Sequence, residues 1–229
     1  MGPVGRVGPP LLSARSRPRA ASLLVALAAV VVLLGALSFH QSRAGSLDRA
    51  VDAAVIAGYG SHVAAAVWLA APGAGLPAAL CTAVVALACV AAGRTNGAVL
   101  AAGAVCLSVG AVEWVLKPLV GRTYDGFLAF PSGHTTAVFA LAASVSVLVH
   151  PSRRHGGWWS RTAVAAAVVL ACVVASAVVA LRWHYFTDTA AGAAVGIGTA
   201  TGLALVLDTP VARRALAKAA PRAQGRQGQ

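Results

Sequence analysis

The sequence predicts an all-α, polytopic membrane helix bundle with about six transmembrane helices. The first observation is composition: of the 229 residues, 59% are hydrophobic and only 10% are charged, whereas soluble domains carry about 25% charged residues. The second is a series of apolar runs, each close to the roughly 20 residues that a helix needs to cross a bilayer. A soluble core of this size cannot bury so many Ala, Val and Leu side chains, and lipid is therefore the expected solvent.

The apolar runs define the predicted helices in chain order. The five clear spans are residues 20–39, 97–116, 132–149, 162–181 and 189–207. A sixth region, 59–93, is too long for one straight span, and Pro72 and Pro77 interrupt it. This region is either one span with a kinked entry, which gives six spans, or two helices, which gives seven.

The distribution of basic residues favours six spans. With six, 13 of the 18 basic residues fall on one side: those of the N-terminus, the loop 150–161, the C-terminus, and Arg94. Seven spans would put the N-terminal cluster on the opposite side. Because basic residues gather in cytoplasmic loops, both termini are expected in the cytoplasm. We therefore predict a transmembrane domain over 20–208, opened by an uncleaved anchor, between disordered basic tails at 1–19 and 209–229.

Charge and cysteine content narrow the class of function. The net charge of +12 is explained by basic loops, and the basic segments lack interleaved aromatic residues, so no nucleic-acid partner is expected. All four cysteines lie inside apolar runs, where neither a disulfide nor a metal cluster is expected. The lipid bilayer is the predicted environment, and the oligomeric state stays open.

Five basic residues lie outside the cytoplasmic set, and three of them need a separate explanation. Arg43 and Arg49 lie beside acidic residues in the first outer loop. The other three, Lys117, Arg122 and Arg182, lie at the outer ends of predicted spans, where basic residues are not favoured. Three cations at one membrane surface with little acid beside them indicate a site for an anion.

Two short motifs reach the same surface. In the first, Pro131 to His134, Ser132 is a good helix cap, and Gly133 leaves the free N–H groups open to a ligand such as phosphate. A plain capped helix would explain Ser132 but not His134. In the second, His184 and Asp188 are four residues apart, so a carboxylate can orient an imidazole that acts as nucleophile or base. The alternatives are a solvated pair, or Asp188 as a helix cap.

Taken together, these motifs resemble the type-2 phosphatidic acid phosphatase (PAP2) family, relatives of the vanadium haloperoxidases. The resemblance rests on Lys117 with Arg122, then Pro-Ser-Gly-His at 131–134, then His184-x-x-x-Asp188, within residues 97–207. Both arginines depart from the family pattern. The family has Arg-Pro seven residues after the lysine, where this chain has Tyr124 and Asp125. Its Ser-Arg before the histidine falls on Ala177 and Val178, and Arg182 is the candidate substitute.

The resemblance implies a metal-independent mechanism without cofactors. His184 would attack phosphorus to form a phosphohistidine, Asp188 would orient His184, and His134 would protonate the leaving oxygen and then activate water. The phosphate oxygens would be held by Lys117, Arg122, Ser132, Gly133 and Arg182. Glu113, four residues before Lys117, is expected to pair with that lysine.

The expected enzyme is a lipid phosphatase of the cell membrane with its active site on the outer face. A site at the bilayer surface lets a substrate keep its tails in lipid, and the candidates are phosphatidic acid, phosphatidylglycerol phosphate and polyprenyl diphosphate. The alternatives are an anion transporter and a non-catalytic protein that binds lipid phosphate. Haloperoxidase activity is not expected, because it belongs to the soluble relatives.

Overall fold

The computed structural model describes residues 7–149 and 157–219 and is almost entirely helical. Its helices are α1 (Arg17–Leu37), α2 (Ser46–Tyr59), α3 (Val63–Ala70), α4 (Gly75–Ala91), α5 (Thr95–Ala111), α6 (Lys117–Val120), α7 (Gly133–Val149), α8 (Trp158–Ala180), α9 (Phe186–Leu207) and α10 (Pro210–Ala219). Short 3-10 turns, Gly60–His62 and Ala71–Gly73, flank α3. A π-helical turn, Val112–Leu116, joins α5 to α6, and a small antiparallel hairpin follows, with β1 at Thr123–Tyr124 and β2 at Phe127–Leu128.

The predicted polytopic helix bundle is confirmed. Within the described residues, five helical segments are long and apolar enough to cross a membrane: Arg17–Leu37, Ser46–Gly73, Thr95–Val120, Trp158–Ala180 and Phe186–Leu207. Two shorter apolar helices, α4 and α7, accompany them. The span predicted at 97–116 continues as a helix to Val120, which brings Lys117 onto the end of this helix.

The segment Ser46–Gly73 begins and ends at one face of the bundle. Asp48, near its start, contacts Arg122 and Thr187, while Gly73, at its end, lies against His134 at the start of α7. All of these partners belong to the same end of the bundle. The region 59–93 is therefore two segments that part at Ala74, of which only α4 runs the length of the bundle. Within residues 7–149 and 157–219, six long helices remain, namely α1, α4, α5, α7, α8 and α9.

Both ends of the described chain meet at the opposite end of the bundle. The backbone N–H groups of Leu11 and Leu12 donate to the carboxylate of Asp208, each at 2.8 Å, and Arg17 lies 3.6 Å from the same carboxylate. The start of α1 and the end of α9 therefore lie at the same face of the bundle. This requires an even number of spans, which agrees with six.

The prediction of disordered tails is wrong for the parts that the structure describes. Leu11 is buried in an apolar cluster with Leu100, Leu148 and Leu207. This burial is possible because the Asp208 carboxylate accepts a hydrogen bond from the backbone N–H of Leu11. After α9, residues 210–219 form α10. Residues 1–6, 150–156 and 220–229 lie outside the described residues, so only the end of the predicted basic loop 150–161, with Arg161, is described.

Close packing of α7 against α9 sets the position of the site. A Cβ added to Gly192 would lie 2.6 Å from the carbonyl oxygen of Ser132, and one added to Gly196 would lie 2.5 Å from that of Thr136. Helices approach this closely only where small residues line the contact. The backbone N–H of Ser132 also donates to the carbonyl of Asp188 at 3.0 Å. The start of α7 is therefore held directly beside the start of α9.

Candidate active site

Three segments meet around one cavity at the end of the bundle opposite the chain termini. They are the π turn with α6, the start of α7, and the connection from α8 to α9. The cavity has a volume of about 1,090 Å³. Five of the predicted site residues line it: Lys117, Gly133, His134, Arg182 and His184.

His184 is held as a neutral imidazole. The residue is 8% exposed, and Nδ1 lies 2.9 Å from the carbonyl oxygen of Ala129. Because a carbonyl only accepts, Nδ1 carries the proton and Nε2 keeps a free lone pair. Burial lowers the pKa of His184 to about 3, and the positive charges of Lys117 and His134 act in the same direction. This imidazole is therefore unprotonated at neutral pH, as a nucleophile must be.

Asp188 does not hydrogen-bond His184, contrary to the role expected for it. Its nearer oxygen is 3.9 Å from Nδ1, beyond hydrogen-bond distance. Oδ2 instead accepts from the backbone N–H of Tyr185 at 2.9 Å, in a capping box at the start of α9, and Oδ1 accepts from Arg122 at 2.6 Å. Asp188 is thus a helix cap and an arginine partner. The backbone of Ala129 is the hydrogen-bond acceptor that orients His184.

Arg122 points away from the cavity, which contradicts the expected phosphate contact. Its side chain is 1% exposed. Nη1 donates to Asp188 and to Thr187, both at 2.6 Å, Nη2 donates to Asp48, and the guanidinium lies 4.3 Å from the centroid of the Tyr185 ring. A buried guanidinium is satisfied by such carboxylates. Arg122 therefore joins α2 to α9.

The functional residues that sequence reasoning missed are Asp48 and the Ala129 carbonyl. Asp48 is one of the acidic residues beside Arg43 and Arg49, and its place in the sequence indicates these arginines as its partners. Its actual partner Arg122 is 74 residues away, and Ala129 is 55 residues from His184. A backbone carbonyl leaves no signal in a sequence.

Ser132 is the cap of α7 and is fully buried. Its hydroxyl oxygen accepts from the N–H of Thr135 at 3.4 Å, while its own N–H is bonded to α9. Ser132 does not line the cavity, whereas the neighbouring Gly133 does. The structure thus assigns Ser132 to the helix start and leaves Gly133 and His134 facing the open space.

Arg182 reaches the cavity through the turn that ends α8. It adopts a left-handed backbone conformation with φ of 60°, and the N–H of Trp183 donates back to the carbonyl of Val178 at 3.0 Å. This turn reverses the chain at the end of the helix. Both Arg182 and His184 line the cavity as a result.

The cavity joins charged groups to an apolar groove. Within the described chain, no three His, Cys, Asp or Glu side chains are grouped as metal ligands. Its charged end instead offers Lys117, Arg182 and two imidazoles, a set suited to an anion. The groove continues between α4 and α5 along small side chains: Ala78, Ala79, Thr82, Ala83, Ala86, Ala102, Val105, Cys106 and Val109. From Ala78 to Ala86 it follows about 12 Å of helix.

These features define a polytopic helix bundle with one cavity lined by two histidines and two basic residues, and comparisons with known proteins show what the chain resembles. Residues 117–211, which hold all three motifs, match the model of the PAP2 superfamily. The resemblance to the PAP2 superfamily is therefore confirmed, and the match agrees with the predicted enzyme class, a phosphatase.

A solved structure has the same fold. It is the transmembrane PAP2-type phosphatidylglycerolphosphate phosphatase of Bacillus subtilis, with a TM-score of 0.62 and 17% sequence identity over 88% of this chain and 98% of that chain. A search of curated proteins returned no significant match. The likeness confirms the predicted fold of a transmembrane PAP2 protein.

Proposed function

We propose that the protein is a metal-independent phosphatase that hydrolyses the phosphate headgroup of a membrane lipid through a phosphohistidine. The observation that carries this proposal is a single cavity. Two imidazoles and two cations line one end of it, and the other end continues as an apolar groove. The superfamily match over the same motifs supports the reaction class.

The first chemical step forms the phosphohistidine. Lys117 and Arg182 hold the phosphate oxygens beside the start of α7. Nε2 of His184 attacks phosphorus, the bond from phosphorus to the ester oxygen breaks, and His134 donates a proton to the departing alcohol. The two imidazole rings are 6.5 Å apart between centroids, which leaves room for a phosphoryl group between them.

The second step releases inorganic phosphate. His134, now neutral, takes a proton from a water molecule as its oxygen attacks phosphorus, and the bond between phosphorus and Nε2 breaks. His184 thereby returns to its starting state. The Ala129 carbonyl keeps the proton on Nδ1 throughout, so the ring needs no reorientation between the steps.

The groove supports a lipid substrate. Between α4 and α5 it offers small apolar side chains and opens from the catalytic cavity, so a tail can stay in a lipid-like environment. The candidates are phosphatidic acid, phosphatidylglycerol phosphate and polyprenyl diphosphate. The solved relative is described as a phosphatidylglycerolphosphate phosphatase, and this compound is the first to test. The positive-inside bias of the sequence supports a site on the outer face of the membrane.

A phosphate-release assay tests the proposal. Detergent-purified protein is incubated with each candidate in the presence of a chelator, and inorganic phosphate is measured. We expect release from at least one candidate, and trapping of a phosphoprotein that is stable to alkali and labile to acid, as expected for a phosphoramidate. Absence of release from every candidate contradicts the proposal.

A non-catalytic lipid-phosphate-binding protein is the second candidate. The observation that favours it is the burial of Arg122 away from the cavity, which removes one expected phosphate ligand. Phosphate binding without any release in the same assay would support this alternative.

A further inference from the structure

Glu113 occupies the charged end of the cavity. Both of its carboxylate oxygens accept from Nζ of Lys117, at 2.7 and 2.8 Å. The sequence predicts this ion pair from the four-residue spacing, but not where the carboxylate lies. Glu113 is in the π-helical turn and lines the cavity together with both imidazoles.

The carboxylate of Glu113 lies directly against the start of α7. A Cβ added to Gly133 would be only 2.5 Å from Oε1 of Glu113, so this oxygen contacts the glycine where a side chain would otherwise be. The start of α7 is also where the motif geometry favours phosphate, because of its free N–H groups and partial positive charge. Glu113 and a bound phosphate would therefore use the same lysine and the same helix end.

We infer that Glu113 is a resident anion that the substrate's phosphate displaces, and that it excludes headgroups carrying a single negative charge. This inference rests on the proposed function. A phosphodiester carries one negative charge, as does the Glu113 carboxylate that it would displace. The electrostatic attraction to Lys117 therefore does not increase. A phosphate monoester or diphosphate brings a second charge, which strengthens its attraction to Lys117 and Arg182.

The other charges around the cavity strengthen this discrimination between headgroups with one and with two negative charges. Arg182 is the second cation that lines it, and Asp125 is the second carboxylate. Lys117 and Arg182 thus face two acids before substrate binds, His134 adds a positive charge only while it holds the proton for the leaving group, and the imidazole of His184 is uncharged. The surrounding membrane consists largely of phosphodiester lipids, and their headgroups must be rejected for the site to stay available. Glu113 is 40% exposed, so its side chain has space to move aside.

The test is the variant Glu113→Gln, which keeps the shape of the side chain and removes its charge. Binding of inorganic phosphate and of dimethyl phosphate, a monoanionic diester, is measured by calorimetry on detergent-purified protein at pH 8. We expect the variant to bind inorganic phosphate about tenfold more tightly, a change of about 1.4 kcal/mol. We also expect it to bind dimethyl phosphate measurably, whereas the unmodified protein does not.

Asp125→Asn is the matched control, because it removes the same charge from the same cavity without touching Gly133 or Lys117. A gain as large as that of Glu113→Gln would assign the effect to net charge and overturn the inference. Unchanged or weaker phosphate binding by Glu113→Gln would also overturn it, and would mean that Glu113 only positions Lys117. Absence of lipid turnover in unmodified protein would refute the proposed function, while the binding comparison would still decide the role of Glu113.

Discussion

Replacement of Arg122 by alanine distinguishes a structural ion pair from a phosphate ligand. In the structure the guanidinium is 1% exposed and compensates Asp48 and Asp188, whose side chains are 3% and 0% exposed. Its removal leaves two buried carboxylates without a cation between them. Breaking a buried pair in this way costs about 3–5 kcal/mol.

The expected result of Arg122→Ala is a large loss of thermal stability. For a chain of this length each kcal/mol corresponds to about 2–4 °C in the midpoint of unfolding. The midpoint is therefore expected to fall by about 6–20 °C. Thermal unfolding in detergent, followed by fluorescence or by loss of the monodisperse peak, measures this shift.

Arg182→Ala is the matched control, because Arg182 lines the cavity in which the phosphate is expected to bind. We expect its unfolding midpoint to stay within about 2 °C of the unmodified protein, while the turnover of lipid phosphate falls roughly a hundredfold. The reasoning is refuted if Arg122→Ala keeps its midpoint and loses only turnover. Arg122 would then act on the phosphate, as the motif resemblance implies.

Three further predictions follow from the site, the packing and the topology. His184→Ala and His134→Ala should each abolish phosphate release with an unchanged unfolding midpoint; near-normal release by either variant would remove that residue from the mechanism. Gly196→Ala should cost about 1–3 kcal/mol in stability by pushing α7 from α9. Gly58→Ala, with no atom near its added Cβ, should be neutral or slightly stabilising. Equal unfolding midpoints of the two variants would contradict the close packing. In a background without the four native cysteines, cysteines at positions 10 and 127 should label from the cytoplasmic and outer sides respectively, and labelling from one side would refute six spans.

Much of the architecture was predictable from the sequence because a bilayer imposes a local requirement. A helix that crosses lipid must be apolar over about 20 successive residues, and that requirement is written in consecutive positions. The ion pair of Glu113 with Lys117 was predictable for the same reason, since four residues along a helix bring two side chains together. The cap at Ser132 and the grouping of Lys117, His134 and His184 also followed from motifs at helix ends.

Tertiary structure alone decided where the remaining groups point. Whether Ser46–Gly73 crosses the membrane depends on both of its ends contacting one face, through Asp48 and Gly73. Arg122 has the same sequence context whether it reaches a phosphate or a buried acid, and its choice depends on a carboxylate 74 residues away. The segment before α1 is ordered by distant contacts: Asp208, 197 residues after Leu11, accepts its N–H groups, and Asn96 donates to the carbonyl of Pro9. Composition and spacing specify which contacts are chemically possible, whereas the packing of distant helices selects among them.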